Sequence, residues 1–276
     1  MDFIIGFFIA VVIALTGVGA GTITAPLLLL FLNVPVEIAV STALAYSAVV
    51  KLIVVPVQIV RKQVDWRILG WMTLGGLPGV ILGSLAFRQV ALHGPRQALY
   101  LALGAIIIFT SGWHIFRHFK PLAVDRSVKQ RTGWLASLML PIGLEVGFSS
   151  SGAGALGTVA LLGLTPLTTA RVVGTDLAFG LVLAVAGTGV HFFGGAYDTT
   201  LLLHLAIGGV LGGLAGSFVA PLIPNRQLRF ALSLWLVFLG GQFWYQAIFT
   251  HQADHKSAAV PALPQKTAAY SATPAR

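Results

Sequence analysis

The sequence predicts an all-α membrane protein of about eight transmembrane helices, arranged as two homologous four-helix repeats with broken helices at the glycine-rich motifs. Three observations carry that expectation. The 276 residues are 57% hydrophobic and only 9% charged, with a mean hydropathy of +0.89, where an average soluble domain is roughly 25% charged. Apolar segments near the length of a membrane-spanning helix, about 20 residues, follow one another between Pro, Gly and charged punctuation. Finally, glycine motifs recur at one fixed separation, the 133 residues from Gly75 to Gly208.

Taken in order, the spans cover approximately 3–32, 37–60, 67–88, 96–117, 133–163, 168–194, 199–222 and 227–249. The opening stretch "MDFIIGFFIAVVIALTG" lacks a positively charged start and a small-residue cleavage site, so it reads as the first membrane segment and not as a removable signal. The first and fifth segments are too long for one straight span and carry glycine clusters midway, which predicts broken or re-entrant helices. Residues 1–118 form the first repeat, 119–132 a charged cytoplasmic linker, 133–250 the second repeat, and 251–276 an Ala-, Pro-, Ser- and Thr-rich tail expected to be disordered.

The repeat rests on aligned residues. "GGLPGVILGSLAF" (75–87) and "GGVLGGLAGSFVA" (208–220) match at Gly75/Gly208, Gly76/Gly209, Gly79/Gly212, Gly83/Gly216 and Ser84/Ser217. The same offset pairs Gly19 with Gly152, Gly21 with Gly154, Thr42 with Thr175 and Asp65 with Asp198. Four spans per repeat would give both halves the same orientation, unless a re-entrant crossing changes the count. Counting Lys and Arg on alternate sides of eight spans gives eleven inside and five outside with both termini cytoplasmic.

Composition also excludes function classes. Cys is absent, which removes disulfides and thiolate metal or redox chemistry. The formal charge of +9 sits in short loops and not in a basic domain, so nucleic acid is not a partner. No P-loop, Ser/His/Asp set or zinc motif is present, which points away from an enzyme and from any cofactor or metal. His114 and His118, at i and i+4, lack a third ligand nearby and read as an interfacial cluster.

The evenly spaced glycines at 75, 79 and 83, and at 208, 212 and 216, read as packing seams on one helical face. "TGVGAGT" (Thr16 to Thr22) and "SSSGAGALGT" (Ser149 to Thr158) differ, because their glycines alternate at a spacing of two and form no smooth face. A helix broken in lipid survives where its freed backbone lines a cavity, and N–H groups at the start of a half-helix attract anions. The competing reading is a packing kink. Candidate substrate-binding residues are therefore Gly17, Gly19, Gly21 and Thr22 in the first motif and Ser150, Ser151, Gly152 and Gly154 in the second. Ser41, Thr42, Gly174 and Thr175, at the beginnings of the following spans, join them as helix caps or cavity-facing groups. Ionisable residues inside spans are costly and mark function by default. Lys51 is the candidate to attract an anion, and Glu145, Asp176 and His191 are the candidates to carry a coupling proton, with structural pairing as the alternative for each.

These motifs, taken together in order, resemble the TauE/SafE family of sulfite-exporter-like membrane permeases, over residues 5–249. The resemblance implies passage of a small sulfur-containing or organic anion, such as sulfite or sulfoacetate, across the bacterial inner membrane. It places the family's glycine motifs at Gly17, Gly19 and Gly21 and at Gly152 and Gly154, and its next motif at Ser41 and Thr42 and at Gly174 and Thr175. Family members often carry a longer glycine run where this chain has Ala20 and Ala153, and a small hydroxyl residue where it has Asp176. The expected partners are a small anion and the lipid bilayer, with homo-oligomerisation left open. The alternatives are an anion channel and a non-transporting membrane subunit or scaffold.

Overall fold

The computed structural model describes residues 2–16, 20–32, 34–119, 132–150, 153–193, 198–219, 233–245 and 248. The described residues are helical or lie in short connections. α1 is Asp2–Thr16, α2 Ala20–Phe31, α3 Val36–Val60, α4 Trp66–His93 and α5 Arg96–Phe119. α6 is Thr132–Ser149, α7 Ala153–Leu164, α8 Thr169–Phe192 and α9 Thr199–Val219, and a further helix, α10, covers 233–245. Both glycine-rich motifs interrupt helices, between α1 and α2 and between α6 and α7. Four helices, α3, α4, α8 and α9, are each long and apolar enough to cross a membrane. Large apolar side chains such as Leu74, Phe109, Leu203 and Phe218 face outward, as lipid-facing surface requires. The chain is a multi-pass helical membrane protein.

The glycine seams decide which helices touch. A Cβ built on Gly75, Gly79 or Gly83 would collide with the α6 backbone at Ala136, Leu140 and Leu144. On Gly208, Gly212 or Gly216 it would collide with α1 at Phe3, Phe7 and Val11. Without side chains on one helix, the other helix's backbone moves in to van der Waals distance, which is how packing substitutes for the hydrophobic effect inside lipid. Each partner pair is again 133 residues apart: Phe3 with Ala136, Phe7 with Leu140, Val11 with Leu144. The correspondence extends to the aromatic plugs. Gly76 leaves room for the Phe179 ring, and Gly209 leaves room for Tyr46, two fully buried rings at the same offset. The seams therefore join helices from opposite sides of the charged linker.

The order of these contacts fixes helix directions. α4 and α6 run in parallel, as do α9 and α1, because their partners advance together. Gly76 against Phe179 and Val80 against Gly187 make α4 parallel to α8, and Tyr46 against Gly209 and Val50 against Gly213 make α3 parallel to α9. By contrast, α3 and α8 are antiparallel. Ser41 near the start of α3 meets His191 near the end of α8, Leu44 meets Gly187, and the N–H of Asp65, beyond the end of α3, donates to Thr175 near the start of α8.

α7 turns back on α8 through residues 165–168, placing Thr158 against Asp176. Since α6 and α8 share a direction, the chain reverses at the second glycine motif. The same holds at the first. The Tyr46 hydroxyl donates to the Gly6 carbonyl, which sets those two residues level. At about 1.5 Å rise per residue, the ten residues from Gly6 to Thr16 lead about 15 Å one way. The ten residues back from Tyr46 to Val36 lead about 15 Å the other way, so α2 must carry the chain back. The sequence predicted one direction for both sides of the linker, but α3 and α8, which correspond at the offset, oppose each other. The turn-back at each glycine motif inserts one more helix ahead of α3 and ahead of α8, and that changes the parity.

Short helix-capping bonds complete the frame. The Asp65 carboxylate accepts from the Ile68 N–H at 3.1 Å, and the Asp198 carboxylate accepts from the Leu201 N–H at 3.0 Å, so both α4 and α9 start on an Asp cap. Arg171 adds an ion pair to Asp65 at 3.2 Å, half-exposed and correspondingly weak.

Candidate functional site

The antiparallel α3/α8 pair divides the predicted residues into two clusters near its opposite ends. At one end Ser41 and Thr42, both fully buried, lie on the first turns of α3. Ser41 Oγ is 3.0 Å from His191 Nδ1 and donates to the Glu37 carbonyl at 2.7 Å. His191 Nε2 lies 3.3 Å from the Gly147 carbonyl on α6, which also accepts from Ser84 Oγ on α4 at 3.3 Å. Four helices therefore converge on one imidazole.

Ser150 belongs to this end. It follows directly on α6 with φ of 62°, a left-handed backbone that a non-glycine residue adopts only where the surrounding structure enforces it. Its N–H closes the helix on Val146. Its Oγ is buried without a hydrogen-bond partner among the described residues, and so is Thr42 Oγ1. A buried, unsatisfied hydroxyl costs about 1–3 kcal/mol, so at each of these two positions a polar partner would be favourable. Gly154 lies in the first turn of α7.

At the other end Thr175 Oγ1 accepts from the Asp65 N–H at 2.9 Å, and Gly174 faces the Gln63 backbone. Asp176, buried, accepts from Thr158 Oγ1 at 2.8 Å and stands within coulombic reach of the buried Lys51 ammonium on α3. The attraction between the two groups reduces the cost of holding them in the interior without cancelling it.

Glu145 departs from both clusters. It sits one turn before Ser149 on α6 and lines a groove of about 710 Å³ among α5, α6 and α7, whose other walls are Phe109, Trp113, Leu138 and similar apolar side chains. Gly21 and Thr22 fall in the first turn of α2, and Gly17, Gly19, Ser151 and Gly152 lie outside the described residues. The structure thus brings Ser41, His191 and the α6 end at Ser150 together, sets Lys51 with Asp176, and does not join the Ser41–Thr42 and Gly174–Thr175 motifs in one site.

Sequence reasoning missed Glu37, Ser84, Phe87 and Arg88. With Ser41 and His191 they line a cavity of about 110 Å³ between α3, α4 and α8. Ser84 carried a usable signal as the one polar residue of the repeated glycine motif. Arg88 counted only as a loop charge, because its place on the last turns of α4 is visible only once α4 is seen to continue to His93.

The family model of the sulfite exporter TauE/SafE matches residues 3–243. The chain is similar to the "Probable membrane transporter protein YjnA" of Bacillus subtilis (strain 168), with 27% identity over 242 residues, covering 83% of this chain and 93% of that protein. No solved structure matches. With a family model covering nearly all of a multi-pass helical chain, the protein belongs to the sulfite exporter TauE/SafE family of membrane transporters.

Proposed function

We propose that the chain is a permease for a small anion, a sulfur oxyanion or organosulfonate of the sulfite and sulfoacetate class, working by alternating access across the bacterial inner membrane. The observation that carries this reading is the antiparallel relation of α3 and α8 with its doubled interfaces. Residues 1–118 and 133–250 then form two inverted repeats, each a helical hairpin tipped by a glycine motif followed by three further helices. Inverted repeats can exchange conformations, which supplies the two access states, and polar sites at interrupted helices between repeats are characteristic of secondary transporters.

The helix hairpins supply the anion cradle. The α7 N-terminus follows Ser150 after two residues, and its free N–H groups together with the unsatisfied Ser150 and Thr42 hydroxyls offer donors without a fixed cation. The first hairpin, at Gly17, Gly19, Gly21 and Thr22, serves the other end, where Lys51, Thr175 and Gly174 stand. An inside-negative potential assists anion export by about 2.3 kcal/mol per charge per 100 mV, enough to drive a uniporter.

Helix directions also revise the orientation. With a reversal at each glycine motif, the connection at 61–65 and the first turns of α4 and α8, with Arg67 and Arg171, fall on one side. The end of α4 with Arg88 and the start of α5 at Arg96 fall on the other. The positive-inside rule then favours the 61–67 side as cytoplasmic and the start of α1 as external, in place of the cytoplasmic termini that eight crossings suggested.

The test is efflux from proteoliposomes loaded in turn with sulfite, thiosulfate, sulfoacetate and acetate under an imposed voltage. Saturable efflux of the sulfur anions that follows voltage supports the permease. Conduction without saturation would make the protein a channel, and movement of none of the four, with no thermal stabilisation by them, would remove the anion reading.

A further inference from the structure

The hydrogen bonds around His191 can be counted proton by proton. The Gly147 carbonyl only accepts, so the bond to Nε2 needs a hydrogen on Nε2. The Glu37 carbonyl only accepts, so the 2.7 Å bond from Ser41 uses that residue's single hydroxyl hydrogen. Ser41 Oγ, its hydrogen committed, can then only accept from Nδ1, 3.0 Å away, and Nδ1 must carry a hydrogen too. All three bonds exist together only when the ring holds both protons.

A neutral ring breaks one of them. Either Nε2 faces a carbonyl with its lone pair, or Ser41 rotates away from Glu37 to donate to Nδ1. Losing or gaining the Nδ1 proton of His191 therefore moves the Ser41 hydroxyl hydrogen between two acceptors on different helices. We propose that His191 is the proton-binding site of this transporter, and that Ser41 converts its protonation into a change at the α3/α8 contact beside the anion cradle. The proposal rests on the permease reading and deepens it by naming the coupled ion.

The surroundings fit a ring that gains and loses charge. The cavity of about 110 Å³ leads from His191 and Ser41 to Glu37 and the exposed Arg88 at its rim, giving a proton a way in. The Phe87 ring lies 5.4 Å from the imidazole at an interplanar angle of 48° and forms one wall of its surroundings. Of the charged groups on the packed helices, α3 supplies Glu37 and, further along, Lys51. α4 supplies Arg88, α6 supplies Glu145 on the separate apolar groove, and α8 itself supplies Asp176 and Arg171 towards its other end. With Glu37 offsetting Arg88, the added proton gives the cavity a net positive charge, so proton and anion favour each other's presence.

Two readouts on the full-length purified chain separate the proton site from the transport reading. In the first, ¹⁵N-histidine spectra in detergent follow the ring nitrogens from pH 5 to pH 8, with His191→Gln assigning the signal by its loss. We expect a doubly protonated ring converting to a neutral one within that window. In Ser41→Ala the midpoint shifts, because the competition for the hydroxyl hydrogen is gone. A ring neutral throughout, or a Ser41→Ala midpoint identical to the parent's, overturns the proposal.

In the second readout, thiosulfate-loaded proteoliposomes containing a pH dye report proton movement. We expect proton flux to accompany anion flux in the parent. In His191→Gln, anion flux loses its several-fold dependence on pH, and should that variant not fold, Ser41→Ala is expected to weaken the dependence in its place. A ring that titrates with no anion moved removes the permease and leaves the proton site. Anion flux with no accompanying proton removes the coupling and leaves the permease.

Discussion

Gly79→Leu and Gly212→Leu each abolish folded protein, while Gly70→Ala and Gly112→Ala leave the melting temperature essentially unchanged. At Gly79 an added Cβ falls 2.9 Å from the Leu144 backbone nitrogen and closer still to the Leu140 carbonyl. At Gly212 it meets the Phe7 backbone in the same way. Backbone cannot swing aside as a side-chain end can, so the helices must separate along the whole seam. Overpacking a tight core costs about 1–3 kcal/mol even where side chains can adjust. Here a branched side chain is forced against main chain, and the effect exceeds about 4 kcal/mol, the range reserved for severe defects. Around Gly70 and Gly112 nothing lies within 4 Å of the added carbon, and an alanine gains helix propensity there. Yield of monodisperse protein and thermal unfolding in detergent measure both outcomes. A folded Gly79→Leu variant with native stability would show that α4 and α6 are not in backbone contact.

The second large effect is at Lys51. Lys51→Met removes a buried ammonium within coulombic reach of the buried Asp176, and breaking a buried pair from one side costs about 3–5 kcal/mol. Lys51→Met combined with Asp176→Asn removes both charges and recovers most of that stability, since no unpaired charge is left in the interior. Transport separates the structural role from the functional one. The double variant folds but passes sulfur anions at a small fraction of the parental rate, because the positive charge near the first hairpin is gone. Full transport by the double variant would make Lys51 and Asp176 a structural pair alone.

Much of this was legible in the sequence. Composition announces the membrane, and the spacing of four between glycines announces close helix contacts. The two broken segments fall where alternating glycines stand, with helices ending at Thr16 and Ser149. Two things were not legible. One is that Gly75–Gly83 packs on α6 and Gly208–Gly216 on α1, because a glycine face states that a backbone approaches and not whose. The other is direction. "TGVGAGT" and "SSSGAGALGT" read equally well as a kink within one span and as a reversal between two half-length helices, and the choice changes the parity of everything downstream. That parity parts Thr42 from Thr175, which the offset had paired. His191 stood out as an ionisable residue in a span, but its partners Ser41, Gly147 and Phe87 lie 150, 44 and 104 positions away, beyond any local pattern.

Antiparallel halves are the central claim, and sidedness tests it most directly. The chain has no cysteine, so single cysteines are unambiguous labels. Arg67→Cys and Thr200→Cys occupy exposed first-turn positions of α4 and α9, equivalent at the 133-residue offset. In intact cells a membrane-impermeant maleimide should label the cysteine at 200 and reach the one at 67 only after permeabilisation. Labelling of both from the same side would mean that the two halves face the same way, and the inverted-repeat account would fail.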